Sequence, residues 1–303
     1  MQVKKLGRAA SYRLQALLVM LLWGSLYPAI KLGYTYLSVN TSSVPDIMML
    51  AGNRFLVCGT VITLLALRRG DRLNRDVKAS IWPVIGLGLT GVVIHYVLNY
   101  TSLTMTESGR AAILKASGPL LYICLSFLFM RDEKFSWLKI LGGVLGFAGI
   151  AAMNAGAEAG FSIRTGDLLM IGASLAGILS NLFGKKAMAC NSPFVVTGLS
   201  QLFGGVVLTV LAVVLRAEML HFSPMGVLVF GYTCFASTVA YLIWYKIMKL
   251  IPLSEMYLIK FCEPVFACIF GAMIFGENIF TIQYLLSFLL ICTGIVIGQK
   301  KRA

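Results

Sequence analysis

The sequence LKASGP at residues 114–119 recurs in changed form as IKFCEP at residues 259–264. Each stretch lies inside an apolar segment of about 20 residues, the length that a helix needs to cross a bilayer, and each places a lysine four residues before a proline. Lys115 and Lys260 are 145 residues apart, nearly half of the 303-residue chain. A lysine in hydrocarbon is costly and is rarely kept without a use. The two stretches therefore predict a doubled membrane protein whose centre binds a ligand.

The composition excludes an ordinary soluble protein. Hydrophobic residues make up 58% of the chain and charged residues 13%, with a mean hydropathy of +0.85, whereas soluble domains carry about twice that charged fraction. The net charge of +14 is explained by membrane orientation rather than by a nucleic-acid partner, and we expect no such partner. The seven cysteines form no CxxC pair, so no metal and no cofactor is expected.

Ten apolar spans can be marked along the chain, each long enough or nearly so for a transmembrane helix. Their approximate bounds are 14–36, 45–67, 80–101, 108–130, 135–154, 166–188, 193–215, 224–247, 253–275 and 279–298. The connections between them are too short to hold a soluble domain. We therefore predict an all-α integral membrane protein with ten transmembrane helices.

The basic residues predict how these helices are oriented. With ten spans, nineteen lysines and arginines fall on one side of the membrane, and only Arg164 and Arg216 fall on the other. An excess of this kind marks the cytoplasmic side. Both termini are therefore predicted to be cytoplasmic.

Five basic residues fit neither side of the membrane: Lys31, Arg54, Arg110, Lys115 and Lys260. Lys31 and Arg110 lie near span ends, where a side chain can snorkel to the interface, and Arg110 is also kept as a candidate substrate-binding residue. Arg54 is expected to face the bundle, as a hydrogen-bonding hub or a gating residue. Lys115 and Lys260 each lie about 10 Å inside their spans. At that depth a lysine side chain can still reach the membrane interface, but the paired placement of the two residues favours a cavity.

The second half of the chain repeats the first at an offset of 145 residues. The matching pairs are Tyr96 and Tyr241, Tyr100 and Tyr245, Lys115 and Lys260, Pro119 and Pro264, and Gly149 and Gly294. The register fails in the earlier part of each half. We predict two five-helix repeats, 1–154 and 155–303, and the second must be inverted because five is odd. Inverted repeats are a common plan of secondary transporters, whose substrates bind near the midplane.

Aromatic and polar side chains are expected to line the centre of the bundle. On the third span, Tyr96, Asn99 and Tyr100 share one helix face, and the eighth span repeats this spacing. Such residues can stack on an organic molecule and fix its polar ends, although a membrane-interface belt is the alternative. The candidate substrate-binding residues are Trp23, Tyr27, Tyr96, Asn99, Arg110, Lys115, Asn181, Tyr241, Trp244, Lys260 and Glu263.

Glu263 breaks the repeat, because its counterpart in the first half is Gly118. It lies three residues after Lys260, so the two side chains could neutralise each other on one helix face. The alternatives are a proton-coupling carboxylate or an anchor for a substrate amine. Pro119, Pro264 and Arg54 are predicted to be structural or gating residues, since a proline removes a backbone donor inside a helix.

Several short motifs carry a family resemblance. They are WGSLYPAIK at 23–31, NRF at 53–55, DEKFS at 132–136 after Pro119, EP at 263–264, FGEN at 275–278 and TGIV at 293–296. Over its whole length the chain resembles the EamA-type exporters of the drug/metabolite transporter superfamily. The resemblance implies a central cavity between helices one, three, four, six, eight and nine that opens alternately to either side. It also implies, by analogy with relatives that carry phosphorylated sugars, a role for basic residues on helices four and nine, where Lys115 and Lys260 lie.

These observations favour a secondary active transporter of a small organic metabolite, with an amino acid, organic anion or phosphorylated compound preferred as substrate. The chain has no HExxH, GxSxG or P-loop motif, so we do not expect an enzyme. The alternatives are an exporter of amines or cationic drugs that uses Glu263, and a flippase for lipids or lipid-linked sugars. We expect a multi-pass protein of the cell (plasma or inner) membrane, as a monomer or homodimer. Its partners would be the substrate, membrane lipid, and a proton or counter-substrate.

Overall fold

The computed structural model describes residues 2–103, 105, 108–129, 134–153, 164–276 and 281–299, and it contains no strand within these residues. The helices are α1 (Gln2–Tyr36), α2 (Val44–Arg68), α3 (77–103), α4 (Ser108–Phe129), α5 (Trp137–Met153), α6 (Thr165–Ala187), α7 (Pro193–Val214), α8 (Pro224–Ile247), α9 (Leu253–Phe275) and α10 (Ile282–Gln299). Each helix overlaps one predicted span. The predicted all-α class is confirmed.

Eight of these helices are long and apolar enough to cross a membrane, and α5 contains a shorter apolar stretch, Trp137–Ala152. Large apolar side chains point away from the bundle, among them Val214, Leu228 and Met273, which are 70%, 67% and 75% exposed. Such a surface is suited to lipid rather than to water. The chain is therefore a multi-pass membrane protein, while ten crossings and cytoplasmic termini stay predictions.

Serine and proline set the starts of three helices. Ser43, Ser192 and Ser223 each precede a helix with a proline in its first turn. Each serine hydroxyl accepts a hydrogen bond from a backbone N–H three residues further on. These caps satisfy donors that a helix leaves unpaired at its start, which is why the predicted span edges agree closely with the helices here.

Two helix pairs, α2 with α7 and α5 with α10, approach closely through glycines. A Cβ atom on Gly205 would lie 2.6 Å from the backbone nitrogen of Leu56, and one on Gly294 would lie 2.6 Å from the carbonyl oxygen of Gly142. Small residues allow membrane helices to approach at backbone distance. The two pairs thus form tightly joined walls at the sides of the bundle.

The contacts across these two interfaces are reciprocal. Gly52 lies against Thr209 and Gly198 lies against Thr63, and a shift of 146 residues exchanges the two pairs. The same exchange relates Gly59–Leu202 to Gly205–Leu56, and a shift of 145 relates Gly149–Ser287 to Gly294–Gly142. Reciprocal contacts are what a two-fold axis produces. They support the two-repeat interpretation, with a register that differs by one residue in the early part of each half. The predicted boundary at 154–155 lies outside the described residues.

Gly205→Ala is expected to destabilise the protein by about 1–3 kcal/mol, because the added methyl group must push the backbone of α2 away. The unfolding temperature of the purified chain in detergent measures this effect. Gly231→Ala is the matched control: it makes the same change in α8, where no atom lies within 4 Å of the added carbon. Equal unfolding temperatures for the two variants would contradict the close packing of α2 and α7.

Candidate functional site: the central cavity

A cavity lies within the bundle. Its volume is about 550 Å³ when the open solvent at its mouth is included. Its lining residues are Trp23, Leu87, Gly91, Val92, His95, Gly177, Ser180, Asn181, Ser200, Gln201, Tyr241, Trp244, Tyr245 and Lys260. They come from α1, α3, α6, α7, α8 and α9. Compared with the cavity that the family resemblance implies, α7 takes part and the described residues of α4 do not.

The ammonium group of Lys260 is held in a cage of three aromatic rings. Its Nζ atom lies 5.3 Å from the ring centre of Trp23, 5.9 Å from that of Trp244 and 5.7 Å from that of Tyr257. Ring faces attract cations. Lys260 also ends the first segment of α9, Leu253–Lys260, where the helix dipole favours positive charge. The lysine therefore lies in the interior of the bundle rather than snorkelling to its edge.

Asn181 holds two walls of this cage in place. Trp244 donates a hydrogen bond from Nε1 to Asn181 Oδ1 at 2.9 Å, and Asn181 Nδ2 donates to the Tyr257 hydroxyl at 2.8 Å. Trp244 and Tyr257 are only 1% and 2% exposed, so neither belongs to a membrane-interface belt. Because the Asn181 amide is occupied by the two rings, the residue orients the cage.

Lys115, Tyr27 and Glu263 form a hydrogen-bonded relay across three helices. Lys115 donates from Nζ to the Tyr27 hydroxyl at 2.9 Å, and Tyr27 donates to Glu263 Oε1 at 3.0 Å. Glu263 is buried in the first turn of the second segment of α9, where the helix dipole favours negative charge. The described residues contain no salt bridge between Glu263 and Lys260, so the carboxylate is tied to α1 and α4 instead.

The two prolines act differently on their helices. Pro119 leaves α4 continuous, and the Lys115 carbonyl, which a proline four residues later cannot bond, accepts a hydrogen bond from Ser174 Oγ at 3.2 Å. Beside Pro264, α9 is interrupted at Phe261. The interruption is a single residue whose φ of −63° and ψ of −15° stay in the helical region, and Lys260 and Glu263 lie on either side of it.

A row of aromatic rings joins Arg54 to the Lys260 cage. Arg54 donates from Nη2 to the Tyr96 hydroxyl at 3.1 Å. The ring centres of Tyr96 and Phe55 are 5.0 Å apart, those of Phe55 and Tyr241 6.2 Å, and those of Tyr241 and Trp23 5.3 Å. Tyr96 and Tyr241, which match in the repeat, thus lie in one row. Asn99 is buried outside the cavity lining, and the side chain of Arg110 lies outside the described residues.

Gln201 and Tyr257 are among the residues of the site that the sequence did not single out. Gln201 lines the cavity, is 2% exposed, and has no hydrogen-bond partner in the described structure for either amide atom. A signal was available, because a polar amide inside an apolar span also needs a hydrogen-bond partner. Tyr257 could not be found in this way, since it contacts Lys260 from one turn earlier on the same helix.

A bundle of apolar helices around a central cavity with a caged cation is typical of membrane transport proteins. The sequence pattern of the EamA-like transporter family matches residues 11–155 and 164–298, and the chain belongs to this family. The predicted family is thereby confirmed. The two matched stretches correspond to α1–α5 and α6–α10.

Relatives are transporters by name. The chain is 26% identical to an uncharacterised inner membrane transporter of Escherichia coli K12, YedA, over 88% of this chain and 83% of that protein. It is 24% identical to the S-adenosylmethionine/S-adenosylhomocysteine transporter of Chlamydia trachomatis serovar L2, over 76% and 74%. A solved crystal structure with 18% identity has the same fold, with a TM-score of 0.78 over 96% of each chain. These names agree with the predicted cell-membrane location and indicate transport rather than enzymatic activity.

Proposed function

We propose that the chain is a secondary transporter that carries a small organic anion or zwitterion by alternating access through the central cavity. The observation that carries this proposal is the caged Lys260, because the lining of the cavity contains this cation and no Asp or Glu among the described residues. A cavity with a single sign of charge concentrates ligands of the opposite sign. The surrounding apolar and aromatic walls are typical of small-molecule sites.

The same walls favour a substrate with a flat part. Trp23, Tyr241, Trp244 and Tyr245 offer ring surfaces, and the Gln201 amide offers an NH₂ donor group and an oxygen acceptor that have no partner among the described residues. A zwitterion that bears an aromatic base would use all of these features. Of the two compounds in the name of the Chlamydia relative, S-adenosylhomocysteine is such a zwitterion, whereas S-adenosylmethionine carries an additional sulfonium charge. S-adenosylhomocysteine is therefore included among the candidates.

The relay of Lys115, Tyr27 and Glu263 is the proposed coupling element. It joins α4, α1 and α9, and the Glu263 carboxylate, whose Oε1 accepts the hydrogen bond from Tyr27, can take up a proton on its other oxygen. Protonation of Glu263 would leave Lys115 without a counter-charge and loosen the link between these helices. The amine-exporter alternative is less well supported, since Glu263 is bound to Tyr27 and does not line the cavity.

A charge series of labelled compounds in proteoliposomes tests the proposal. We expect uptake of at least one carboxylate, amino acid, sugar phosphate or adenosyl amino acid above the rate of empty liposomes, with amines of the same size excluded, because the cavity carries positive charge. Uptake of amines alone would contradict the proposal in favour of a cationic-drug exporter. Movement of a labelled lipid between leaflets, without uptake of any soluble compound, would favour a flippase.

A further inference from the structure

Arg54 on α2 is a buried cation that the central cavity does not use. Its residue is 3% exposed, and the salt bridges of the described residues join other partners, Arg13 with Glu255 and Arg69 with Asp71. Its Nη2 atom donates to the Tyr96 hydroxyl, while its Nε atom is buried without a hydrogen-bond partner. An arginine keeps its proton in proteins, so this positive charge cannot be removed by titration.

A second, smaller cavity is lined in part by Arg54. Its space is about 280 Å³ when the open solvent at its edge is counted, but only about 10 Å³ for the centre of a water-sized sphere, which is room for one small ion or group. It shares no lining residue with the central cavity. Its lining residues are Ile30, Gly33, Leu37, Leu50, Ala51, Arg54, Tyr100, Val229, Phe230 and Thr233. The Thr233 hydroxyl already donates to the Phe230 carbonyl. Arg54 and Tyr100 are the other lining residues with polar side chains.

We propose that this pocket binds a small monovalent anion, a halide ion or the carboxylate of a small acid, that neutralises Arg54. A buried charge without a counter-charge is strongly destabilising. The faces of Phe55 and Tyr96, 4.8 and 5.6 Å from the guanidinium carbon, compensate it only in part. A guanidinium forms strong, directed hydrogen bonds with anions. The mostly apolar walls and small volume suit a monovalent anion with few hydration waters.

This site is separate from the central cavity, and its proposal does not depend on the function proposed for that cavity. It lies towards the end of the bundle where α1 ends and α2 begins, as Leu37 and Leu50 show. The aromatic row of Tyr96, Phe55 and Tyr241 separates it from the Lys260 cage. An anion here would therefore occupy the far side of that row from the caged lysine.

Thermal unfolding of the full chain in detergent tests this site, with potassium gluconate exchanged for potassium chloride or potassium acetate at constant ionic strength. We expect a saturable rise in unfolding temperature with one or both of the smaller anions, because a ligand that binds only the folded state stabilises it. Arg54→Gln is expected to weaken this binding by about tenfold or more, since it removes a charge-assisted hydrogen bond. Arg69→Gln, the same change at the residue that follows α2, where the arginine is paired with Asp71, is expected to keep it.

A second variant tests the pocket in case Arg54→Gln does not fold. Gly33→Ala adds a carbon 3.9 Å from Leu37, Leu50 and Val229, so it fits without displacement, narrows the pocket and leaves Arg54 unchanged; we expect it to weaken anion binding. A response to chloride alone assigns the site to an inorganic ion, whereas competition between chloride and acetate assigns it to carboxylates as well. An unchanged response in both Arg54→Gln and Gly33→Ala, or no response in the parent to either anion, would overturn the proposal.

Discussion

Lys260→Gln is expected to reduce the uptake of an anionic substrate at low concentration by about 10- to 100-fold. Hydrogen bonds to a charged group are worth about 1.5–3 kcal/mol, and each 1.4 kcal/mol is a factor of ten in affinity. Lys260 is the cation of the cavity lining, held by Trp23, Trp244 and Tyr257 where a substrate would enter. Initial rates in proteoliposomes, with the compound that the charge series identifies, measure the loss.

Two further variants separate loss of the site from loss of the fold. Lys260→Met keeps an unbranched side chain, one atom shorter, and removes a charge from the interior, so its unfolding temperature is expected to equal or exceed that of the parent while uptake falls. Lys249→Gln is the control outside the cavity, since Lys249 lies just beyond the end of α8 and donates to the backbone carbonyl of Asn191. Full uptake by Lys260→Gln would exclude the cage as the anion site.

Glu263→Gln is expected to abolish uptake driven by an imposed pH gradient while exchange of substrate between the two sides continues. The amide cannot take up a proton, but it can still accept the hydrogen bond that Tyr27 donates to Glu263. The link between α1 and α9 would then no longer respond to pH. Concentrative uptake and counterflow, measured on the same proteoliposomes, report the two properties separately.

The matched control lies on the same helix. Glu255 on α9 also joins α1, through its 3.0 Å salt bridge to Arg13, so Glu255→Gln removes a carboxylate between the same two helices without touching the relay. Tyr27→Phe removes the hydroxyl that joins Lys115 and Glu263, and we expect it to impair coupling as Glu263→Gln does. If Glu263→Gln still concentrates substrate under a pH gradient, the proton enters elsewhere.

Much of the fold can be predicted from local sequence because its physical causes are local. A span is recognised by length and hydropathy alone, and the helices found here overlap all ten predicted spans. Lys115, Lys260 and Glu263 were recognisable as site candidates because a charge inside hydrocarbon is unusual wherever its partner lies. The sequence reveals the repeat only where both halves have similar side chains at an offset of 145 residues. The glycine contacts between α2 and α7 show it in the early part of each half, at an offset of 146 residues.

Which of these residues contact each other could not be predicted from the sequence. Spacing along α9 suggested a pair between Lys260 and Glu263, yet Lys260 is caged by rings from α1, α8 and α9 while Glu263 binds Tyr27. The sequence by itself determined the membrane class, the family and the presence of interior charges. Only the tertiary structure decided the cage, the relay, the unpartnered Gln201 and the pocket at Arg54. The physical reason is that hydropathy belongs to each residue, whereas a charge in low dielectric is stabilised by neighbours that packing brings from distant helices.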